Sequence, residues 1–213
     1  MDLVISTDIM DTMGKKILVL GGGTAGWLTA LYITKTFPQH EITVMESKSI
    51  GILGAGEGST PPLVEFLKML GVDIDELLER TKGTIKQGIS FENWNGDGKK
   101  YFHPFKTRHE FTIPNLFDYG AYDYYLKHLL HKKLSFNEYT YATKLSYNNI
   151  VDRENIDYSL HFDAQLLAEY LKSITQCKHR YDELRDITTN EKGDIIKIND
   201  IECDFVFDCT GFH

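Results

Sequence analysis

A chain of 213 residues with 42% hydrophobic content can build one sizeable α/β domain, or a domain and a half, around a core. Its formal net charge of −8, with no basic stripe, argues against nucleic acid or an anionic membrane surface as a partner, although backbone dipoles can still hold a small dinucleotide. No apolar run is long enough to span a bilayer.

Residues 1–14, MDLVISTDIMDTMG, carry Asp2, Asp8 and Asp11 and no basic head, which is wrong for a secretion signal; they read as a loose extension in which Met13 is an alternative start. KKILVL (Lys15 to Leu20) then reads as a short buried strand that runs straight into GGGTAGWLTALYITKTF, an apolar-periodic helix. Gly21, Gly23 and Gly26 therefore fall on GxGxxG between a strand and a helix. In that pattern one glycine makes the tight turn, the next lets backbone approach a pyrophosphate, and the third lets helix and strand pack closely. The helix start adds free N–H groups and the positive end of a dipole. A second strand, EITVMES, delivers Glu46 twenty residues past Gly26, where a carboxylate can accept hydrogen bonds from ribose hydroxyls.

A glycine-rich strap, GILGAGEGSTPP, leads to residues 61–82, which read as one helix with Pro61 and Pro62 at its start and Leu63, Phe66, Leu67 and Leu70 at helical spacing. From Gly83 to about Tyr158 the pattern turns aromatic-rich and turn-broken, with YFHPF and a helix over YGAYDYYLKHLL, and this stretch interrupts the nucleotide fold. DAQLLAEYLKSITQ restores an amphipathic helix. A hairpin turning at Glu191, Lys192 and Gly193 and a final strand, DFVFDC, follow and are expected to rejoin the first sheet. The expected organisation is thus a nucleotide core, 15–82 and 159–213, carrying an inserted substrate-side segment, 83–158. Cys177, Cys203 and Cys209 are odd in number and lack CxxC spacing, which points to reduced thiols in a cytoplasmic protein and to no metal centre.

Lys86 lies eight residues before Trp94 in KQGISFENW. Taken alone, a lysine there is an exposed charge on a strand edge. Glu57, between two glycines of the strap, is either an exposed turn residue or a carboxylate that orients the strap or meets ligand hydroxyls. Phe91 and Trp94 can stack on an aromatic substrate, but aromatics alternating along a strand more often belong to a core. His103, beside a proline in YFHPF, reads as a turn or pocket-wall residue. His128 and His131 lie three apart without a third ligand and read as a solvated helix face.

Five segments in order, GGGTAGW (21–27), GEGSTP (56–61), KQGISFENW (86–94), YSLHFDAQLLAEYL (158–171) and DFVFDCTGF (204–212), resemble the flavin-dependent halogenases of the tryptophan halogenase type over nearly all of 15–213. The resemblance implies a Rossmann-like FAD/NAD(P)-binding fold of the GR2 type. It implies flavin contacts at Gly21, Gly23, Thr24, Ala25, Gly26, Glu46, Ser47, Ile50, Glu57 and Gly58, and catalysis by Lys86. Substrate-side positions would be Phe91, Trp94 and His103. In such enzymes reduced FAD, O2 and chloride or bromide yield hypohalous acid, which a positioned lysine ammonium polarises or a neutral amine captures; both need partial desolvation. The implied partners are a small electron-rich aromatic, a halide and a separate flavin reductase that supplies reduced FAD by diffusion; a homodimer is compatible with this. Trp27 and Trp94 are the only tryptophans, so the family's paired-tryptophan motif WxWxIP has no counterpart here, and the resemblance implies that this motif, the second flavin segment, the halide site and the catalytic glutamate belong to a half of the family that this sequence does not cover. The expectation is an amino-terminal part that lacks turnover alone. Two alternatives stand beside the halogenase: a flavin monooxygenase or reductase of the same fold, and a non-catalytic nucleotide-binding module.

Overall fold

The computed structural model describes residues 14–50, 56–105 and 141–211. In chain order its strands are β1 Lys16–Leu20, β2 Glu41–Glu46, β3 Gly56–Gly58, β4 Thr84–Lys86, β5 Gly88–Glu92, β6 Lys100–Pro104, β7 Ser159–Asp163, β8 Lys178–Tyr181, β9 Ile187–Thr189, β10 Ile195–Ile198, β11 Ile201–Glu202 and β12 Phe205–Asp208. The helices are α1 Thr24–Thr36, α2 Pro61–Met69, α3 Ile74–Arg80, α4 Tyr141–Tyr147 and α5 Ala164–Ile174. The described residues fall into two units, one from 14–50, 56, 79–82 and 163–211, the other from 57–78, 83–105 and 141–162. The segment 61–78, grouped with the nucleotide core on sequence grounds, lies in the second unit.

The first unit is a parallel α/β layer. Its sheet has the order β12–β1–β2–β8, with β1 parallel to both β12 and β2, and β2 parallel to β8. Of the strands that follow the insertion, β8 and the final β12 rejoin the sheet that β1 and β2 begin, whereas the hairpin strands β9 and β10 do not and form a separate layer with β11. Alternation along β1 and β2 explains what covers each face. Leu18, Leu20 and Met45 point to one side, where they pack with Ile198 and Cys203 of the three-stranded β11–β10–β9 hairpin layer. Ile17, Val19, Ile42 and Val44 point to the other and are also buried, as the near-continuous apolar run of a parallel strand requires. Helices α1 and α5 pack on each other, burying Trp27, Ala30 and Leu31 from one and Leu167, Ala168 and Leu171 from the other. The hairpin turns at Gly193, φ +87°, in the place its sequence marks.

In the second unit β7 lies between β3 and β4, and β4 runs antiparallel to β7 with Lys86 opposite Ser159 and Thr84 opposite His161. Strands β5 and β6 form a separate antiparallel pair. Residues 61–82 are not one helix. Leu70 and Gly71 close α2, with Gly71 at φ +74° and the Val72 N–H returning to the Leu67 carbonyl, 3.0 Å. Asp73 then caps α3, its Oδ1 accepting from the N–H groups of Asp75 (2.8 Å) and Glu76 (3.1 Å). No helix among the described residues is long and apolar enough to cross a membrane. Residues 1–13 of the extension, and the segment YGAYDYYLKHLL with His128 and His131, over which the sequence predicts a helix, lie outside the described residues.

Candidate functional site

In the first unit a cleft of about 530 Å³ opens above the carboxyl ends of β1, β2 and β12. This is the edge where parallel α/β sheets bind ligands. Gly21, Gly22 and Gly23 form one wall, Met45, Glu46, Ser47 and Ile50 another, and Asp182, Glu183, Leu184 and Asp208–Thr210 the rest. Gly21 has φ +105°, open to glycine and strained for any other residue, and its N–H reaches the Met45 carbonyl at 2.8 Å. A Cβ on Gly26 would collide with the Gly21 carbonyl, so the third glycine of the fingerprint serves the close helix–strand approach expected of it.

The start of α1 is prepared for an anion. Gly23 occupies the cap position with no side-chain hydrogen bond, and the first turn holds no acidic residue. Thr24 Oγ1 is buried without a hydrogen-bond partner. An orphaned hydroxyl beside free helix N–H groups and a glycine turn fits the pyrophosphate of a dinucleotide. Ala25, exposed on the same turn, offers backbone only.

Glu46, at the end of β2, is largely buried: its Oε1 takes Lys172 Nζ at 2.8 Å and His179 Nε2 at 2.7 Å. Ser47 does not present a free hydroxyl. Its Oγ donates to Glu183 Oε1 at 2.7 Å and accepts from the Ser49 N–H at 3.0 Å. The Ser49 hydroxyl also donates to Glu183 Oε1, at 2.5 Å, and it first and Ser47 second hold the Glu183 carboxyl below its ordinary range. Asp182 is drawn down to about 2 by Arg185, with the Glu183 N–H and Asn199 adding to it. Ile50 is half exposed at the rim. Lys172, His179, Asp182 and Glu183 carried no motif by which the sequence could single them out.

The second unit holds Glu57, Gly58 and Lys86. Lys86 ends β4 and is not a solvated edge charge: it is half-buried, its Nζ donates to the Ser59 carbonyl at 3.1 Å, and it lies 5.7 Å from the centroid of the Phe105 ring. A Cβ placed on Gly58 would meet the His161 ring at 3.0 Å and Lys86 Nζ at 3.3 Å, so strap, lysine and imidazole converge on one point. Ser59 and Ser159 join β3 and β7 by a short hydroxyl–hydroxyl hydrogen bond beneath it. Next to Lys86, Gln87 is buried and ties the strand to the far loop, donating to the Ile150 carbonyl (2.8 Å) and accepting from the Asp152 N–H (3.0 Å). Ser59, His161 and Phe105 escaped the sequence reading because a β-sheet, not chain order, brings them to the lysine. Glu57 is exposed on a short strand rather than in a turn.

The remaining substrate-side positions are placed differently from expectation. Trp94 does not belong to a core; it is 71% exposed, past the end of β5, touching Phe91 edge-on at 5.3 Å. Phe91 stacks on Tyr101 across the β5–β6 pair at 5.0 Å, a cross-strand contact rather than a buried one. His103 is an exposed strand residue of β6 opposite Ile89, not a turn residue. The three cysteines are free thiols, and Cys203 is buried under the hairpin.

Residues 16–213 match the tryptophan halogenase family profile. Among curated relatives, tryptophan 6-halogenase SttH of Streptomyces toxytricini is 28% identical over 92% of this chain and 44% of its own length, and tryptophan 7-halogenase RebH of Lentzea aerocolonigenes is 26% identical over 92% and 42%. Among solved structures, Xcc4156, a flavin-dependent halogenase from Xanthomonas campestris, superposes with a TM-score of 0.83 at 29% identity, covering 94% of this chain and 43% of that one. BrvH, a flavin-dependent halogenase from Brevundimonas sp. BAL3, gives 0.77 at 26% identity, covering 95% and 43%. The chain thus spans less than half the length of the relatives it matches. With one profile matching 16–213, nearly the whole of its length, this chain belongs to the tryptophan halogenase family.

Proposed function

We propose that this chain carries the FAD-binding and lysine-bearing parts of a halogenase that uses reduced FAD, O2 and halide to halogenate an electron-rich, indole-like aromatic. The observation that carries the reading is Lys86: a half-buried amine, held on the Ser59 carbonyl at 3.1 Å, in a chain whose other unit has a cleft shaped for a dinucleotide. Gly21, Gly23, Thr24, Ala25 and Gly26 would hold the pyrophosphate, and Glu46, Ser47 and Ile50 the adenosine side. Glu57 and Gly58 belong to the strap beside the lysine. When bound, the reduced flavin would supply with O2 and halide the hypohalous acid that Lys86 handles.

One N–H of Lys86 is spent on the Ser59 carbonyl, and with no other hydrogen-bond partner among the described residues the rest serve as donors toward a bound hypohalous acid. Polarising its oxygen makes the halogen more electrophilic toward an aromatic carbon: as the carbon–halogen bond forms, the oxygen–halogen bond breaks, and the departing hydroxide and the ring proton together make up water. We assign the unit containing 57–78 and 83–162 to the substrate side and the parallel sheet to FAD. Reduced FAD is taken to arrive from a separate reductase.

The test has two parts. The 213-residue chain, supplied with reduced FAD, bromide and an indole, is expected to bind flavin and release no halogenated product; product from it alone would refute the assignment of the missing chemistry to residues outside it. In the whole protein Lys86→Ala is expected to abolish halogenation and keep flavin oxidation, whereas an unaltered protein that oxidises flavin without halogenated product, and does so equally well as Lys86→Ala, would favour a monooxygenase or reductase in which the lysine is incidental.

A further inference from the structure

Glu46 stands where a dinucleotide fold meets ribose, yet its carboxylate is not a free acceptor on the cleft wall. Lys172, in the last turn of α5, donates to Oε1 at 2.8 Å, and His179 of β8 brings Nε2 to the same oxygen at 2.7 Å. The two partners are themselves held. Lys172 Nζ also donates to the Tyr181 hydroxyl at 2.9 Å and sits 5.5 Å from the Trp27 ring and 4.7 Å from the Tyr181 ring. His179 meets the edge of Tyr181 at 4.4 Å and tilts against Trp27 at 5.6 Å. The three polar side chains are only 15%, 32% and 21% exposed for Glu46, Lys172 and His179.

The second carboxylate oxygen is treated differently. Oε2 lies against Gly22 of the glycine turn, so close that a Cβ on that residue would overlap it. One oxygen is thus saturated from behind by a cation and an imidazole, while the other is turned toward the backbone that frames the cleft. A glutamate has three side-chain torsions to lose, and a carboxylate that must find a ribose from many rotamers binds it weakly. Clamping Oε1 removes that freedom before the ligand arrives.

We infer that Lys172 and His179 are positioning residues for the adenosine ribose of FAD, acting through Glu46: they fix the carboxylate so that Oε2 accepts the ribose hydroxyls. The inference rests on reading the cleft as an FAD site. Neither residue touches the ligand, and their effect is on recognition of the ribose diol rather than of the phosphates.

The experiment titrates ADP and 2′,3′-dideoxy-ADP into the 213-residue chain by calorimetry. The quantity read is the ratio of the two affinities, in which repulsion between Glu46 and the phosphates cancels because it is common to both ligands. The unaltered chain is expected to prefer ADP by about tenfold, as a charge-assisted hydrogen bond pair does. In Lys172→Met the preference collapses toward one; in Lys172→Arg, which keeps donors toward Glu46 and Tyr181, most of it survives. Glu46→Gln also loses it, and adding Lys172→Met to Glu46→Gln changes the ratio no further. His179→Gln, measured in parallel, is expected to lower the ratio and decides the matter if Lys172→Met does not fold. An unchanged ratio in both Lys172→Met and His179→Gln overturns the inference while leaving the FAD reading intact. Failure of the unaltered, folded chain to bind either ADP or FAD overturns both.

Discussion

Gly58 lies close against the lysine. A methyl group there would press on the His161 ring at 3.0 Å and on Lys86 Nζ at 3.3 Å, tighter than most real contacts, and the flexible lysine is the partner able to yield. Gly58→Ala is expected to displace the amine from the Ser59 carbonyl and to cut halogenation by the whole protein about tenfold or more while the chain keeps its fold. Product yield and circular dichroism check the two halves. Asp182 is the residue whose ionisation the fold shifts most clearly, to about 2, with Arg185 the leading cause. A depressed carboxylate stabilises the native state above its unfolded pKa of about 4, and that contribution disappears as pH falls through the folded value. Thermal melts between pH 7 and pH 2 are expected to show Asp182→Asn less stable than the unaltered chain at neutral pH and the gap closing from about pH 4 downward. A gap that widens with acid would contradict the assignment.

The elements show where local signals suffice. Helix α5 starts where its sequence says: Asp163 caps it, Oδ1 accepting from the Leu166 N–H at 3.0 Å, and Leu167, Ala168 and Leu171 line its buried face. Asp163→Ala is expected to cost about 1 kcal/mol, and Leu167→Ala, which empties a fully buried site, about 2–5 kcal/mol, both read from urea unfolding. The α2–α3 break was also written in the chain, as a glycine that ends one helix and an aspartate that starts the next in LGVDIDE. Apolar periodicity ran across both signals and concealed them, because Leu67, Leu70, Ile74 and Leu77 keep a buried stripe on either side of the turn. Trp94 and Phe91 failed for the opposite reason. Alternation promises a buried face only when another layer covers it, and the β5–β6 pair leaves Trp94 exposed.

For the whole molecule, the parallel sheet ends among the described residues at β12, an edge strand with Phe205 56% and Phe207 42% exposed. Open apolar edges invite pairing with another chain. The 213-residue chain is expected to self-associate as its concentration rises, and Phe207→Lys to shift sedimentation toward the monomer; identical profiles for the two would show that this edge is not the contact.

The residues alone determined the strand–glycine turn–helix, the acidic residue that ends β2, the hairpin at Gly193, the return to the first sheet and the family resemblance, because each rests on spacing over a few neighbouring positions or on ordered motifs. Only the tertiary structure decided which groups surround the two key side chains. Lys172 lies 126 residues from Glu46, and Ser59 lies 27 from Lys86. Helix packing and strand pairing, which obey no sequence period, bring them within hydrogen-bonding reach, and at that range burial and partners rather than residue type set what an amine or a carboxylate can do.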